Sequence, residues 1–151
     1  MTAEAPSWLT LQRRVRFSDT DAAGVVHFQQ LLGWCHQAWE ESLELYGIAA
    51  GTIFPGGRQP LPNIALPIVH CEADFRAPLH TGDVVFIRLE PKRLDPGSFE
   101  VSSYFRLGEK QIARGCIRHV AIDAITRSRC RLPAELDYWL EASALGQVNS
   151  L

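Results

Sequence analysis

The chain has 151 residues, of which 46% are hydrophobic and 21% are charged, and its formal net charge at pH 7 is −2. A chain of this length normally builds one core, so we expect one domain over residues 1–151, with its core at about 8–125. The near-neutral charge argues against a nucleic-acid-binding protein, which normally has a basic excess. Because one small domain has little room for a deep cleft, we expect a second subunit to complete any sizeable binding site.

Membrane insertion and secretion are not indicated. No segment approaches the roughly 20 consecutive apolar residues that cross a bilayer, and residues 1–7 lack the basic and apolar stretches of a secretion signal. The sequence also contains no His-Glu-x-x-His motif and no Cys-x-x-Cys pair, so no metal site is predicted. We therefore expect a cytoplasmic protein with reduced thiols. The four cysteines are Cys35, Cys71, Cys116 and Cys130.

The first predicted elements are a strand, a loop and a helix. Residues 9–17 alternate as a strand, with Leu9 and Phe17 at the two ends of one side. Residues 18–24 contain the Ser, Asp and Gly of a loop. From residue 28 the apolar positions recur every three to four residues, which predicts a long helix with one apolar stripe and Trp34 at its margin. Gly47 is placed to end this helix.

The second half of the chain predicts strands. Residues 50–63 are rich in Pro and Gly, so we expect a loop without helix or ladder. Strands are predicted at 65–75, 83–93, 99–107 and 111–123, joined by tight turns at 95–97 and 108–110 that make neighbouring strands antiparallel. A short helix follows at about 133–144. One helix packed on an antiparallel sheet is an α+β fold.

An acidic pair lies just before the long helix. Asp19 and Asp21 precede Gly24, and residues 25–28 lead into the helix. One reading is structural, since carboxylates are favoured near helix starts. The other is chemical: the first helical N–H groups have no partner in the helix and can polarise a carbonyl oxygen, while a nearby carboxylate attacks the carbonyl or activates water. We favour the second because Gly24 lets the backbone approach a ligand closely.

Two segments together carry a family resemblance. FSDTDAAGVVHF at residues 17–28 and ALPIVHCEADFRAP at 65–78, followed by TGD at 81–83, resemble the 4-hydroxybenzoyl-CoA thioesterase family. Further matches, WCH at 34–36 and LPIVH at 66–70, are most similar to the branch that acts on 1,4-dihydroxy-2-naphthoyl-CoA in phylloquinone biosynthesis. The resemblance implies a hot-dog fold, in which the sheet wraps the helix. It also implies a homodimer-based tetramer with active sites at the dimer interface, and coenzyme A only as part of the substrate, with no separate cofactor.

The resemblance also implies roles for individual residues. Asp21 corresponds to the catalytic acid, as nucleophile or general base, and Asp19 becomes a loop-shaping residue. Phe28 supplies the backbone N–H that polarises the thioester carbonyl, with Gly24 beside it. His27 and His70 are candidate substrate ligands, although each also has a structural reading. His36, His80 and His119 are expected to have structural or surface roles.

The groups that bind coenzyme A are less well marked. Lys92, Arg93 and Arg118 are the candidates for its phosphates, because basic side chains pair with phosphate. The arginines at 127, 129 and 131 suit either this role or an exposed edge strand. Three alternatives to the proposed chemistry stay open: a helical carboxylate at Glu40, Glu41 or Glu44, a different acyl or carrier-protein thioester, and a module that binds acyl-CoA without hydrolysing it.

Overall fold

The main sheet has five antiparallel strands, seen in a computed structural model that describes residues 5–55 and 61–148. The strands of this sheet run in the spatial order β1-β4-β5-β6-β3, and β2 and β7 form a separate two-stranded ladder. One long helix packs on the five-stranded sheet, which confirms the α+β prediction. The strands are β1 (Thr10–Arg14), β2 (Ile64–Ala65), β3 (Ile68–Phe75), β4 (Val84–Asp95), β5 (Ser98–Leu107), β6 (Lys110–Val120) and β7 (Ile122–Asp123).

The two predicted turns produce the central hairpins. The Asp95 carboxylate accepts a hydrogen bond from the Gly97 N–H at 2.7 Å, which closes the turn between β4 and β5. Gly108 has a φ of +64°, in the region that favours glycine, between β5 and β6. Along β4, β5 and β6 the inward-facing residues are buried and the outward-facing ones are more exposed, as an antiparallel sheet with one covered face requires.

The long helix, α1, spans Phe28–Tyr46 and ends at Gly47, which has a φ of +119°. The Gly47 and Ile48 N–H groups both donate to the Leu43 carbonyl, so the predicted glycine C-cap is confirmed. Trp34 is 3% exposed and packs towards Phe105, so its prediction as a marginal residue was wrong. The sheet curves around α1 and covers a wider part of it than one stripe.

The centre of the core is built where α1 approaches β5 and β6. The Trp39 ring lies 5.5 Å from Phe99 and 4.9 Å from His119, both in edge-to-face geometry. Nearby, a Cβ on Gly115 would lie 2.4 Å from the Cys35 sulfur. Glycine at 115 therefore sets how closely α1 approaches the sheet.

Several predicted boundaries change. β1 ends at Arg14 and a 3₁₀ turn occupies Phe17–Asp19, so Phe17 is 83% exposed whereas Leu9, which was expected on the same side of the strand, is buried. The residues that were expected to be a loop begin with a short helix, α2 (Ala50–Ile53), and residues 56–60 of that prediction lie outside the described residues. The strand predicted at 65–75 is interrupted at Pro67, which cannot donate a ladder hydrogen bond.

The last helix, α3 (Ala134–Val148), is longer than predicted and packs across the end of the sheet. Its Trp139 indole donates to the Ser42 hydroxyl of α1 at 3.0 Å, in a buried contact. The segment before it is not the regular edge strand that alternating arginines indicated: Arg127 has a φ of +65°, which a regular strand excludes, and Arg129 forms only a single bridge, with Ile122. Among the described residues, no helix is both long and apolar enough to cross a membrane.

Candidate functional site

The loop before α1 is a tight turn that presents Asp21. The Gly24 N–H donates to the Asp21 carbonyl, and the Asp21 N–H donates to the Val25 carbonyl, both at 3.0 Å. Gly24 has a φ of +78°, and nothing lies within 4 Å of where its Cβ would be. The turn's backbone conformation therefore favours glycine at this position, and the close approach of a ligand that was expected from the sequence stays a prediction.

The Asp21 side chain is exposed in the single chain, and one of its two carboxylate oxygens is hydrogen-bonded within its own loop. Its Oδ1 accepts the Ala23 N–H at 2.8 Å, and Oδ2 has no hydrogen-bond partner among the described residues. Asp19 is engaged differently: its Oδ2 accepts the Arg16 N–H at 2.7 Å, and its carbonyl accepts the His27 N–H at 3.1 Å. Asp19 thus lies as a loop-shaping residue should, and Asp21 keeps one oxygen available for chemistry.

The first turn of α1 leaves one N–H unused. The His27 Nδ1 accepts the Gln29 N–H at 3.1 Å, while the His27 carbonyl accepts the N–H groups of Gln30 and Leu31. The Phe28 N–H makes no hydrogen bond within residues 5–55 and 61–148. An unpaired N–H at a helix N-terminus can stabilise a developing oxyanion, so this geometry fits the role predicted for Phe28.

A cleft of about 660 Å³ lies beside this helix start. It runs between one side of α1 and the inner face of β3, and its size is within the usual range for small-molecule sites. His27 lines it, whereas Asp21 and Phe28 do not. The lining residues are Ser18, Asp19, Thr20, His27, Gln29, Gln30, Leu32, Gly33, His36, Gln37, Ile68, Cys71 and Ile117.

His70, a predicted substrate ligand, does not line the cleft. β3 contains an extra residue, Val69, because Ile68 pairs with His119 while His70 pairs with the next residue of β6, Arg118. This bulge sends His70 to the outer face of the sheet, where its Nε2 lies 3.7 Å from Glu72. In a regular strand, His70 would share the inner face with Ile68.

None of the three basic candidates for phosphate binding lines the cleft. Arg118 Nη2 lies 3.1 Å from the Glu100 carboxylate on the outer face. Arg93 Nη2 lies 2.7 Å from Asp137 of α3, and Lys92 beside it is exposed. Lys92 and Arg93 line a smaller cavity of about 260 Å³ against α3. Within one chain, Arg93 and Arg118 are already neutralised by carboxylates, so Lys92 is the candidate best placed to meet a phosphate.

A second cavity, of about 470 Å³, continues along α1 beyond the cleft. The two share His36, whose ring lies 5.7 Å from that of His119. His119 is 1% exposed. Burial and, to a smaller extent, the nearby His36 lower the pKa of the ring, and the hydrogen bond to the Leu66 carbonyl acts in the opposite direction, so that the pKa is about 4. The ring is therefore neutral at pH 7. The sequence contains a signal for this burial, because residue 119 lies two positions after the apolar residue 117 on a predicted strand and the two side chains therefore share a face.

The remaining polar and thiol groups serve other contacts. Glu41 pairs with Arg13 at 2.7 Å and Glu40 pairs with His36, while Glu44 is exposed, so none of the three is a free carboxylate in the cleft beside α1. All four cysteines are free thiols, as predicted. Burial raises the pKa of the Cys35 thiol to about 12, which keeps it protonated. Within the described part of the chain, no cluster of side chains is arranged to hold a metal ion.

Curated relatives match this chain over nearly its whole length. A 1,4-dihydroxy-2-naphthoyl-CoA hydrolase from Synechococcus sp. (strain CC9605) is 66% identical over 144 residues, 95% of this chain and 97% of the relative. One from Prochlorococcus marinus (strain MIT 9303) is 56% identical over 147 residues, 96% of this chain and 97% of the relative.

Solved structures share the fold. A 1,4-dihydroxy-2-naphthoyl-CoA thioesterase from Synechocystis superposes with a TM-score of 0.79 at 32% identity, covering 87% of this chain and 94% of the other. A crystal structure from Prochlorococcus marinus (strain MIT 9313) superposes with a TM-score of 0.88 at 58% identity, covering 90% and 96%. The family model described as the thioesterase-like superfamily matches residues 15–140. The chain therefore belongs to the thioesterase-like superfamily, with the hot-dog fold in which the sheet wraps the long helix.

Proposed function

We propose that this protein hydrolyses 1,4-dihydroxy-2-naphthoyl-CoA to 1,4-dihydroxy-2-naphthoate and coenzyme A. The observation that carries the chemistry is the loop and helix start, where one carboxylate oxygen of Asp21 and the Phe28 N–H both have no hydrogen-bond partner among the described residues. The observation that favours this substrate is the shared name of relatives that are 56–66% identical over at least 95% of the chain.

The proposed reaction needs water, a carboxylate and a hydrogen-bond donor. The thioester carbonyl oxygen accepts the Phe28 N–H, which stabilises the negative charge that develops there. Asp21 either takes a proton from the attacking water or attacks the carbonyl itself, giving an anhydride that water then cleaves. In both routes the C–S bond breaks, the coenzyme A sulfur receives a proton, and the acid is released. Transfer of ¹⁸O from water into the Asp21 carboxylate in a single turnover would mark the second route.

We also propose that two copies join through β3, the outer strand of the main sheet, as the base of a tetramer. β3 pairs only with β6 among the described strands, so its other edge presents unpaired backbone groups. Its apolar side chains are unusually exposed: Val69 is 54% and Phe75 38% exposed. Pairing of two β3 edges would cover this surface and place a second chain over the cleft beside α1.

Phosphate binding is proposed for Lys92. It lies opposite Glu100 in the ladder but forms no ion pair with a described residue, whereas Arg93 and Arg118 are paired. Arg93 and Arg118 would have to exchange a carboxylate for a phosphate to contribute. Lys92→Ala should therefore raise the KM for the CoA thioester more than Arg118→Ala does, with little change in kcat for either, as measured by steady-state kinetics.

The test of the activity is thiol release from a panel of aryl and aliphatic CoA thioesters. Asp21→Asn keeps an oxygen for the Ala23 N–H, so it should fold normally and lose at least ~100-fold in turnover. Asp19→Asn is the matched control, because Asn can still accept the Arg16 N–H, and we expect activity within roughly fivefold of the original.

Three results would contradict parts of the proposal. Near-normal turnover by Asp21→Asn would remove this residue from the chemistry. Preference for aliphatic over aryl thioesters would remove the proposed substrate. Failure of the unaltered protein to release thiol from any thioester would favour a module that only binds acyl-CoA.

The assembly is tested by light scattering during size-exclusion chromatography. The double variant Val69→Lys, Phe75→Lys places charges on the exposed surface of β3, so we expect it to be a monomer while the unaltered chain is a dimer or tetramer. The control is Arg88→Glu with Glu90→Lys, which exchanges the two members of an exposed ion pair on β4, away from β3. A monomeric unaltered chain would contradict the proposed interface.

A further inference from the structure

The ring of His27 is fixed on several sides at the start of α1. Its backbone N–H donates to Asp19 and its Nδ1 accepts the Gln29 N–H at 3.1 Å. The ring also packs against Phe28, with centroids 4.4 Å apart and planes inclined by 35°. These contacts hold the imidazole at the helix entrance, on the wall of the 660 Å³ cleft.

The contact with Gln29 determines which ring nitrogen carries the proton. A backbone amide N–H is always a donor, so Nδ1 must supply its lone pair and cannot be protonated while this bond exists. In the neutral ring the proton is then on Nε2. Nε2 is on the opposite edge of the ring from the helix, and it makes no hydrogen bond or ion pair within the described residues.

We infer that His27 is held as the Nε2–H tautomer and donates this N–H to an oxygen of the bound acyl group. The inference rests on the proposed function and adds a second donor to the one supplied by the Phe28 backbone. A neutral donor suits this place, because it adds no charge that a closed cleft would have to desolvate. The acceptor is either the thioester carbonyl or a ring hydroxyl, which lie close together when the hydroxyl is ortho to the thioester.

Two substitutions test the cap made by Nδ1 and the donor on Nε2 independently. In His27→Asn the side-chain oxygen can replace Nδ1 as acceptor for Gln29, since Asn is a favoured N-cap, but the Nε2 donor is lost. In His27→Gln the longer amide can place an N–H near the former Nε2 position, but the cap is lost. His80→Asn, at an exposed histidine that does not line the cleft, controls for the substitution itself.

The readouts are the melting temperature and the separate values of kcat and KM for 1,4-dihydroxy-2-naphthoyl-CoA and for 2-naphthoyl-CoA, which has no ring hydroxyls. We expect His27→Asn to melt within about 2 °C of the unaltered protein but to lose roughly 10–100-fold in kcat/KM. We expect His27→Gln to melt about 2–4 °C lower and to retain more of kcat/KM than His27→Asn. This opposite ordering of stability and activity is not produced by a purely structural role.

The two thioesters distinguish the acceptor. A loss in kcat for both means that Nε2–H acts on the carbonyl, and a loss confined to the hydroxylated thioester means that it acts on the ring hydroxyl. Either result supports the inference. Unchanged kcat/KM in His27→Asn, or activities that fall in proportion to melting temperature in both variants, would overturn it. If the unaltered protein hydrolyses neither thioester, the proposed function fails and the inference fails with it.

Discussion

Lowering the pH from 7 to 5 should destabilise the fold through His119. The ring is 1% exposed, is stacked on Phe99 at 5.1 Å, and donates from Nδ1 to the Leu66 carbonyl at 2.9 Å. Burial and the nearby His36 lower its pKa from 6.5 to about 4. The unfolded chain therefore binds this proton at a higher pH than the folded chain, so stability is lost as the pH falls from about 6.5 to about 4.

The magnitude follows from the two pKa values. Between pH 7 and pH 5, this one group should reduce the free energy of unfolding by about 2 kcal/mol, rising to about 3 kcal/mol below pH 4. Changing the pH acts on every ionisable group of the chain and not on His119 alone. The useful quantity is therefore the difference between the unaltered chain and His119→Phe, which keeps a ring of similar shape but cannot titrate.

The assay is urea denaturation from pH 7 to pH 5 at one protein concentration, so that association contributes equally to both proteins. We expect His119→Phe to be less stable at pH 7, where it lacks the bond to Leu66, but to lose about 2 kcal/mol less than the unaltered chain on acidification. Equal losses in the two proteins would refute the reasoning, because His119 would then not be the group that takes up the proton.

Substitutions at Gly115, Ser42 and Gly24 test the packing and the loop. Gly115→Ala should lower the free energy of unfolding, measured in urea, by about 1–3 kcal/mol, because the new Cβ meets the Cys35 sulfur. Adding Cys35→Ala should recover part of this loss, and strictly additive effects of the two substitutions would contradict the clash. Ser42→Ala leaves the buried Trp139 N–H without its acceptor and should lower the free energy of unfolding by about 1–3 kcal/mol. An unchanged melting curve would contradict this expectation. Gly24→Ala should lower the melting temperature by about 2–6 °C and Gly24→Asn by less, since Asn tolerates a φ of +78° better; equal melting of all three would argue against the positive φ.

The elements that were predictable from the sequence are those determined by local chemistry. The Gly47 C-cap, the turn at Asp95 and the alternation along β5 each depend on residues near in sequence, and each was found where expected. The burial of Trp34 was not predictable from the helical stripe, because it depends on how far the sheet curves around α1. The exposure of Phe17 likewise depends on a bend that the Asp19 carboxylate stabilises.

The candidate site was predictable in part for the same reason. The turn at Asp21, the loop-shaping bonds of Asp19 and the unpaired N–H of Phe28 lie within ten residues of one another, so the sequence pattern contains them. The environment of His70, Arg93 and Arg118 depends on a bulge, a docked helix and a cross-strand carboxylate, which involve distant parts of the chain. These contacts are set by tertiary packing and leave no local signal.

The extra residue in β3 also affects how relatives of this chain should be compared. Because Val69 is the extra residue of the bulge, a relative that lacks one residue here could pair as a regular strand and keep His70 and Cys71 on their present faces. A relative of the same length whose strand is regular from Ile68 onward would instead place His70 on the cleft wall and turn Cys71 to the outer face. Alignments of acyl-binding residues should therefore first establish whether the bulge is kept, because the same position can face the cleft in one relative and not in another.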